Sequence, residues 1–111
     1  MNGPSPVREI DLSDSEWVRT FLMEHCGSTR VVSRGVMHQV DELPGFVALY
    51  DSEPRALLTY SHRDNELEVV TLHAAIPGLG LGSRLIAAAR QLACDRRCRR
   101  MWLIKIGRAH V

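Results

Sequence analysis

Ile76-Pro77-Gly78-Leu79-Gly80-Leu81-Gly82 is the segment that decides the fold, because it joins a strand-like run to a helical pattern. The run before it, Glu66 to Ala75, is rich in Val and Leu. After the loop, apolar residues recur at helical spacing, at Leu85, Ile86, Ala89, Leu92 and Ala93. A second strand-like run follows at Met101–Ile104. Strand, glycine loop, helix and strand in this order predict a parallel crossover unit.

The glycines of this loop lie where the predicted helix begins. A helix N-terminus presents unpaired amides and the positive end of the helix dipole. Glycines let a ligand approach the backbone closely, because no side chain stands in the way. The alternative is a flexible loop that happens to be rich in glycine. The position of the glycine segment at a strand-to-helix junction favours a site in which backbone amides bind a phosphate group.

Three families of phosphate-binding loop are candidates, and two of them can be compared with the loop residues directly. A nucleotide P-loop requires lysine before Ser or Thr, whereas Ser83 and Arg84 follow Gly82. A dinucleotide-binding fold requires a third glycine where Ser83 stands, and an acidic residue after its second strand. The sequence has no acidic residue after Asp95, so both of these families fit poorly.

Upstream of the crossover unit, three strand-like runs follow one another. They cover 45–50, 55–60 and 66–75, and are separated by turn-forming residues at 51–54 and 63–65. They predict an antiparallel meander. Residues 28–44 are interrupted by Gly35 and Pro44 and are predicted to be irregular or short helical structure.

The N-terminal part predicts a short strand and one helix. Residues 1–6 are a loose lead-in, and residues 7–11 form the strand. Ser13 and Glu16 have the spacing of a capping box, in which the Ser13 hydroxyl binds the Glu16 amide. The helix then buries one apolar stripe and ends at Gly27; the stripe consists of Trp17, Val18, Phe21 and Leu22.

Composition limits the classes of function. The chain has 111 residues, 45% hydrophobic and 24% charged, which suits one globular domain. A formal net charge of +1 gives no general argument for binding nucleic acid or a membrane. The N-terminus lacks the apolar core of a signal peptide, so we expect a cytoplasmic location. Three cysteines, an odd number, predict reduced thiols, and no set of ligands predicts a metal site.

From about residue 7 to residue 104, the chain resembles the GNAT N-acetyltransferases. Pro77 to Gly82 occupies the family's pyrophosphate motif, Arg/Gln-x-x-Gly-x-Gly/Ala, and Ser83-Arg84-Leu85-Ile86 looks like the start of the family's helix. The resemblance implies an α/β fold with a mixed, mostly antiparallel sheet. It also implies transfer of an acetyl group from acetyl-coenzyme A to a primary amine of an unknown acceptor. The alternative is a non-catalytic module that binds acyl-coenzyme A, or an interaction module, on the same scaffold.

The resemblance also implies where the coenzyme binds. The pyrophosphate would be held by the loop residues Gly78, Leu79, Gly80, Leu81, Gly82 and Ser83. The backbone of Val70, Thr71 and Leu72 would pair with the pantetheine arm, as an added strand does. Two positions depart from the family. Pro77 stands where Arg or Gln is usual, and Arg97 stands where a helix-ending glycine is expected.

An amine that attacks a thioester must lose a proton, so a carboxylate is a suitable base. Strict strand alternation places Glu66, Glu68, Val70 and Leu72 on one face and His73 on the opposite face. The resemblance makes Glu66 the first candidate for the base and Glu68 the second; the alternative for each is a solvated carboxylate at a strand end. Many family members use a tyrosine of a later helix as general acid, and neither Tyr50 nor Tyr60 has that position.

The last residues do not look like family sequence. Ile106-Gly107-Arg108-Ala109-His110-Val111 resembles the translation of a widely used sequencing adaptor, and Lys105, the only lysine, stands at the junction. We therefore predict an incomplete GNAT domain over 7–104, followed by a non-native tail over 105–111. An incomplete domain is expected to be inactive as written.

Overall fold

The computed structural model describes residues 6–33 and 35–103. It contains seven strands and two α-helices within these ranges. In chain order they are β1 (Val7–Glu9), α1 (Ser15–His25), β2 (Arg30–Ser33), β3 (Val36–Gln39), β4 (Gly45–Tyr50), β5 (Glu53–Arg63), β6 (Glu66–Ala74), α2 (Leu81–Asp95) and β7 (Arg100–Leu103). Short 3₁₀ turns precede α1, at Leu12–Asp14, and β4, at Val40–Glu42.

Five strands form one mixed sheet in the order β1, β4, β5, β6, β7. All neighbours are antiparallel except β6 and β7, which are parallel and connected by α2. The predicted meander, crossover unit and mixed α/β fold are therefore confirmed. Both hairpins turn on two residues of left-handed backbone, Asp51-Ser52 and Asp64-Asn65, and Asp and Asn tolerate this conformation well.

The two faces of the sheet are covered by different elements. On one face α2 buries Leu81, Leu85 and Ala89 against the inward side chains of β4, β5 and β6. On the other face α1 packs Val18, Phe21 and Leu22 against Val47, Leu57 and Val70. We call these the α2 face and the α1 face.

The start of α1 differs from the prediction. The capping box forms one turn earlier: Asp11 accepts the N–H of Ser13, and Asp14 accepts the N–H of Asp11 at 2.8 Å. The predicted box between Ser13 and Glu16 is wrong, because a 3₁₀ turn precedes the helix and shifts the capping positions. Arg8 also binds Asp14, at 2.8 and 2.9 Å, and holds the pKa of this buried carboxyl below its usual value.

Residues 28–44 also differ from the prediction. They contain a two-stranded hairpin, in which Val31 lies opposite His38 and Val32 lies opposite Met37. The turn uses Gly35, whose φ is 78°. Each strand has only four residues, so the alternating pattern is too short to be recognised beside the neighbouring breaks. Among the described residues, neither helix is long and apolar enough to cross a membrane.

Candidate functional site

The glycine loop connects the end of β6 to the start of α2, as predicted. Gly78 and Gly80 both have left-handed backbone, with φ of 83° and 73°, and Gly80 is the N-cap of α2. The Gly80 carbonyl accepts the N–H of Arg84 at 3.1 Å. In this conformation a residue with a side chain is strained, so the backbone favours glycine at both positions.

The first turn of α2 presents its amides without competition from a side chain. No side chain caps this N-terminus in the described part of the chain, and the first turn carries no acidic residue. The amides of Leu81, Gly82 and Ser83 are therefore among the donors that a helix start leaves unpaired. Leu81 as a whole residue is 1% exposed and belongs to the core, so the accessible positions at this helix start are Gly80, Gly82 and Ser83. Together with the exposed residues Gly78 and Leu79, this geometry suits an anion.

Beside the loop, β6 has an edge with which no described strand pairs; we call it the open edge. Its parallel pairing with β7 ends at Val69 opposite Leu103, whereas its antiparallel pairing with β5 continues to Ala74. Within the described residues, no strand pairs with β6 on the β7 side beyond Val69. Ala75 donates its N–H to Arg55 at 2.8 Å, so alternation turns the N–H and C=O of Leu72 toward the open edge. This edge leads toward the glycine loop.

A β-bulge interrupts β6 at the start of the open edge. Thr59 of β5 lies opposite Thr71, but the next residue, Tyr60, lies opposite Val69, so Val70 is an extra residue. The bulge changes which side chains share a face. Val70 packs on the α1 face, whereas Leu72 packs on the α2 face. The predicted set of Glu66, Glu68, Val70 and Leu72 on one face is therefore wrong for Leu72.

The same bulge places His73 on the α1 face with Val70, and not opposite it. The His73 ring lies 4.5 Å from the ring of His25 and 5.8 Å from that of Phe21, measured between centroids. Burial lowers the pKa of His73, and the charge of His25 lowers it further. A neutral imidazole is therefore favoured beside the open edge.

The two candidate carboxylates have different surroundings. Glu66 accepts the indole N–H of Trp102 at 3.0 Å, and its other oxygen lies 3.5 Å from Arg99 and 3.6 Å from Arg100. These contacts hold Glu66 at the junction of β6 and β7. Glu68 is buried, with 6% exposure, and lies opposite Trp102 in the register and two residues before the bulge. Glu68 is thus the carboxylate closer to the open edge along β6.

One polar pair at the bulge was not predicted. The hydroxyls of Thr59 and Thr71 are 2.7 Å apart, and both residues are buried. Threonine is common in strands, so neither residue alone stands out in the sequence. The pair is visible only once the register of β5 and β6 is known. Among the described residues no group of three or more His, Cys, Asp or Glu could hold a metal ion.

The C-terminal end of α2 contains the second departure from the family pattern, Arg97 in place of glycine. Arg97 takes the left-handed conformation, with φ of 57°, at the position where glycine is usual. The N–H of Cys98 binds the carbonyl of Ala93 at 2.8 Å and closes the helix. Arginine therefore replaces glycine at this position without changing the type of helix end.

Comparison with known proteins identifies relatives of this architecture. Residues 8–109 match the family model described as the acetyltransferase (GNAT) family. The chain is 28% identical over 88 residues to the uncharacterised protein YxbD of Bacillus subtilis, covering 78% of this chain and 55% of that protein. The chain thus spans about half the length of the curated relatives it matches. The predicted tail over 105–111 lies outside the described residues, and the family match extends into it.

Solved structures share the fold. A ribosomal-protein-alanine N-acetyltransferase from Brucella melitensis biovar Abortus has a TM-score of 0.69 at 14% identity, covering 91% of this chain and 79% of its own. Rv2747 from Mycobacterium tuberculosis, solved in complex with CoA, has a TM-score of 0.67 at 16% identity, covering 88% of this chain and 63% of its own.

Proposed function

Because the chain belongs to the acetyltransferase (GNAT) family, we propose that it is part of an N-acetyltransferase that moves an acetyl group from acetyl-coenzyme A to a primary amine. The observation that carries this proposal is the open edge of β6, which leads from the bulge at Val70 to the glycine loop. Strand edge, bulge and helix N-terminus form one continuous path for an extended ligand with a phosphate group at one end.

The coenzyme follows this path in our proposal. Its pyrophosphate binds the backbone amides of the loop and of the first turn of α2, from Gly78 to Ser83. Its pantetheine arm lies along the open edge and exchanges hydrogen bonds with the backbone of Leu72, as an added strand would. Its thioester then lies near the bulge at Val70. Pro77 supplies no side-chain donor, so the backbone carries the binding of the pyrophosphate.

Glu68 is the base in this proposal, and Glu66 holds β7 in place. The oxygens of Glu66 contact Trp102, Arg99 and Arg100 at the junction with β7. Glu68 is buried on the same strand and lies closer to the bulge, where we propose that the thioester binds.

The reaction uses these groups in a simple order. Glu68 removes a proton from the acceptor ammonium, directly or through one water, and the free amine attacks the thioester carbonyl. A C–N bond forms and the C–S bond breaks, and the thiolate of coenzyme A leaves and takes up a proton. In this proposal a backbone amide at the bulge stabilises the oxyanion.

An assay of acetyl transfer tests the proposal. The chain is incubated with acetyl-coenzyme A and a panel of amines that includes polyamines, amino sugars and peptides with a free N-terminus. Release of thiol and mass spectrometry of the acceptors report transfer. An acetylated amine, formed only with the chain present, supports the proposal. Binding of acetyl-coenzyme A without transfer to any amine agrees both with the alternative, a non-catalytic binding module, and with the expectation that the domain is inactive as written. Absence of binding contradicts the coenzyme site.

A further inference from the structure

The buried hydroxyl pair of Thr59 and Thr71 lies at the register shift between β5 and β6. The two oxygens are 2.7 Å apart, with exposures of 0% and 2%. Thr59 opposite Thr71 is the last regular rung before Val70, the bulged residue. The hydrogen bond therefore joins β5 and β6 where the register shifts.

Both side chains point to the α1 face. On β5 the residues on either side, Leu58 and Tyr60, pack on the α2 face, so Thr59 points the other way. On β6 Val70 packs on the α1 face, and Thr71 follows it onto that face to meet Thr59. Two consecutive residues on one face are the signature of a bulge.

The other side of Thr59 is fixed by β4. Gly45 lies opposite Thr59, and a Cβ built on Gly45 would approach the Thr59 Cα to 2.9 Å and the Leu58 carbonyl oxygen to 2.0 Å. The N–H of Tyr60 also binds the carbonyl of Pro44 at 3.0 Å. The backbone of β5 is thus held against β4 at the position from which Thr59 reaches Thr71.

A bulge requires such a restraint, because an extra residue can be placed at more than one position along a strand. If it moved by two residues toward the C-terminus, Leu72 would become the extra residue and would exchange its outward N–H and C=O for inward ones. The edge that we propose for pantetheine would then lose its hydrogen-bonding pattern.

We infer that Thr59 and Thr71 are positioning residues for the coenzyme: their hydroxyl pair fixes the bulge at Val70 and thereby keeps the backbone of Leu72 turned toward the open edge. This inference rests on the proposed function for its ligand, acetyl-coenzyme A. The hydrogen bond itself concerns the protein alone and can be tested without a ligand.

The test replaces both hydroxyls by methyl groups in T59V/T71V, which preserves side-chain size and suits a strand. The matched control, T59S/T71S, retains both hydroxyls. We expect the valine variant to melt within a few degrees of the unmodified chain, because no polar group is left unpaired. We expect it to bind acetyl-coenzyme A at least tenfold more weakly by calorimetry, and the serine variant to bind within about threefold of the unmodified chain. Equal affinity of the valine variant and the unmodified chain would overturn the inference.

Amide hydrogen exchange of the free chain separates this inference from the proposed function. In T59V/T71V the amides of Thr71 and His73, which face β5, should exchange at least tenfold faster, while those of the α2 core stay unchanged. If the unmodified chain fails to bind acetyl-coenzyme A, the proposed function fails, and exchange still decides whether the pair fixes the bulge. If the double variant does not fold, Thr59→Ser and Thr59→Ala are compared by the same exchange measurement. Unchanged exchange at Thr71 and His73 in Thr59→Ala, or in T59V/T71V, overturns the inference.

Discussion

The indole N–H of Trp102 donates to Glu66 at 3.0 Å across the parallel pair of β6 and β7. This bond lies at the start of β6, and the bulge at Val70 lies four residues further along. The two carboxylates of β6 thus divide into one that holds the neighbouring strand and one, Glu68, that lies nearer the proposed thioester position.

Glu68→Gln tests this division. The amide retains the size of the carboxylate and cannot accept the proton, so we expect the rate of acetyl transfer to fall by a factor of about 10² to 10⁴. The Kd for acetyl-coenzyme A should change by less than about threefold, because the coenzyme is bound by backbone groups. Steady-state kinetics and calorimetry measure the two quantities.

Glu66→Gln is the matched control on the same strand. A glutamine oxygen can still accept the Trp102 N–H, and the lost ion pairs involve exposed arginines, so stability should fall by less than about 1 kcal/mol. Transfer should continue at a rate near that of the unmodified chain. Loss of transfer in Glu66→Gln with full transfer in Glu68→Gln would reverse our assignment.

Gly80→Val tests the phosphate cradle. Gly80 has a φ of 73°, and a β-branched residue in this conformation costs roughly 1–3 kcal/mol. We expect the start of α2 to change shape and binding of acetyl-coenzyme A to be lost. Gly82→Ala is the control: the added Cβ meets nothing within 4 Å, and alanine should stabilise α2 by up to about 1 kcal/mol. Coenzyme affinity should remain in Gly82→Ala. Unchanged binding by Gly80→Val would exclude the loop as the pyrophosphate site.

Gly45→Ala tests the close approach of β4 to β5. The new Cβ would lie 2.0 Å from the Leu58 carbonyl oxygen, a backbone atom that cannot move aside alone. We expect a loss of about 3 kcal/mol or more in the free energy of unfolding. Chemical denaturation gives the value, with Gly82→Ala as a glycine-to-alanine change in open space. A loss below about 1 kcal/mol would mean that the strands separate more easily here than the structure indicates.

Much of the fold could be predicted from the sequence because its signals are local. Asp64-Asn65 and the residues at 51–54 mark turns, and Gly78 and Gly80 mark the strand-to-helix junction. The bulge could not be predicted in this way. Val69-Val70-Thr71 is an ordinary strand sequence, and the extra residue is defined only by its register with β5. The faces of Leu72 and His73 were therefore assigned wrongly from alternation alone.

The half-buried position of His73 makes the stability of the fold depend on pH. Burial and the charge of His25 lower its pKa from the ordinary value of about 6.5. As the pH falls through this value, the unfolded chain binds the proton more readily than the folded chain does. The contribution of neutral His73 to stability is thus complete above about pH 6.5 and is lost at lower pH.

His73→Gln should reduce this loss of stability below pH 6.5, as measured by thermal unfolding between pH 7.5 and pH 5. His62→Gln, at an exposed position, serves as the control and should keep the dependence of the unmodified chain. The same slope in His73→Gln and in the unmodified chain would show that the imidazole of His73 is protonated equally in both states.

The most direct test of the central claim is titration of ¹⁵N-labelled chain with acetyl-coenzyme A, followed by the chemical shifts of its assigned amides. We predict saturable chemical-shift changes at two groups of amides, Gly78–Ser83 in the loop and Val70–Leu72 beside the open edge. Desulfo- or acyl-free coenzyme A should shift the loop amides similarly, because the pyrophosphate is the same. Absence of saturable shifts, or shifts confined to the arginine-rich segment at 96–100, would contradict the account.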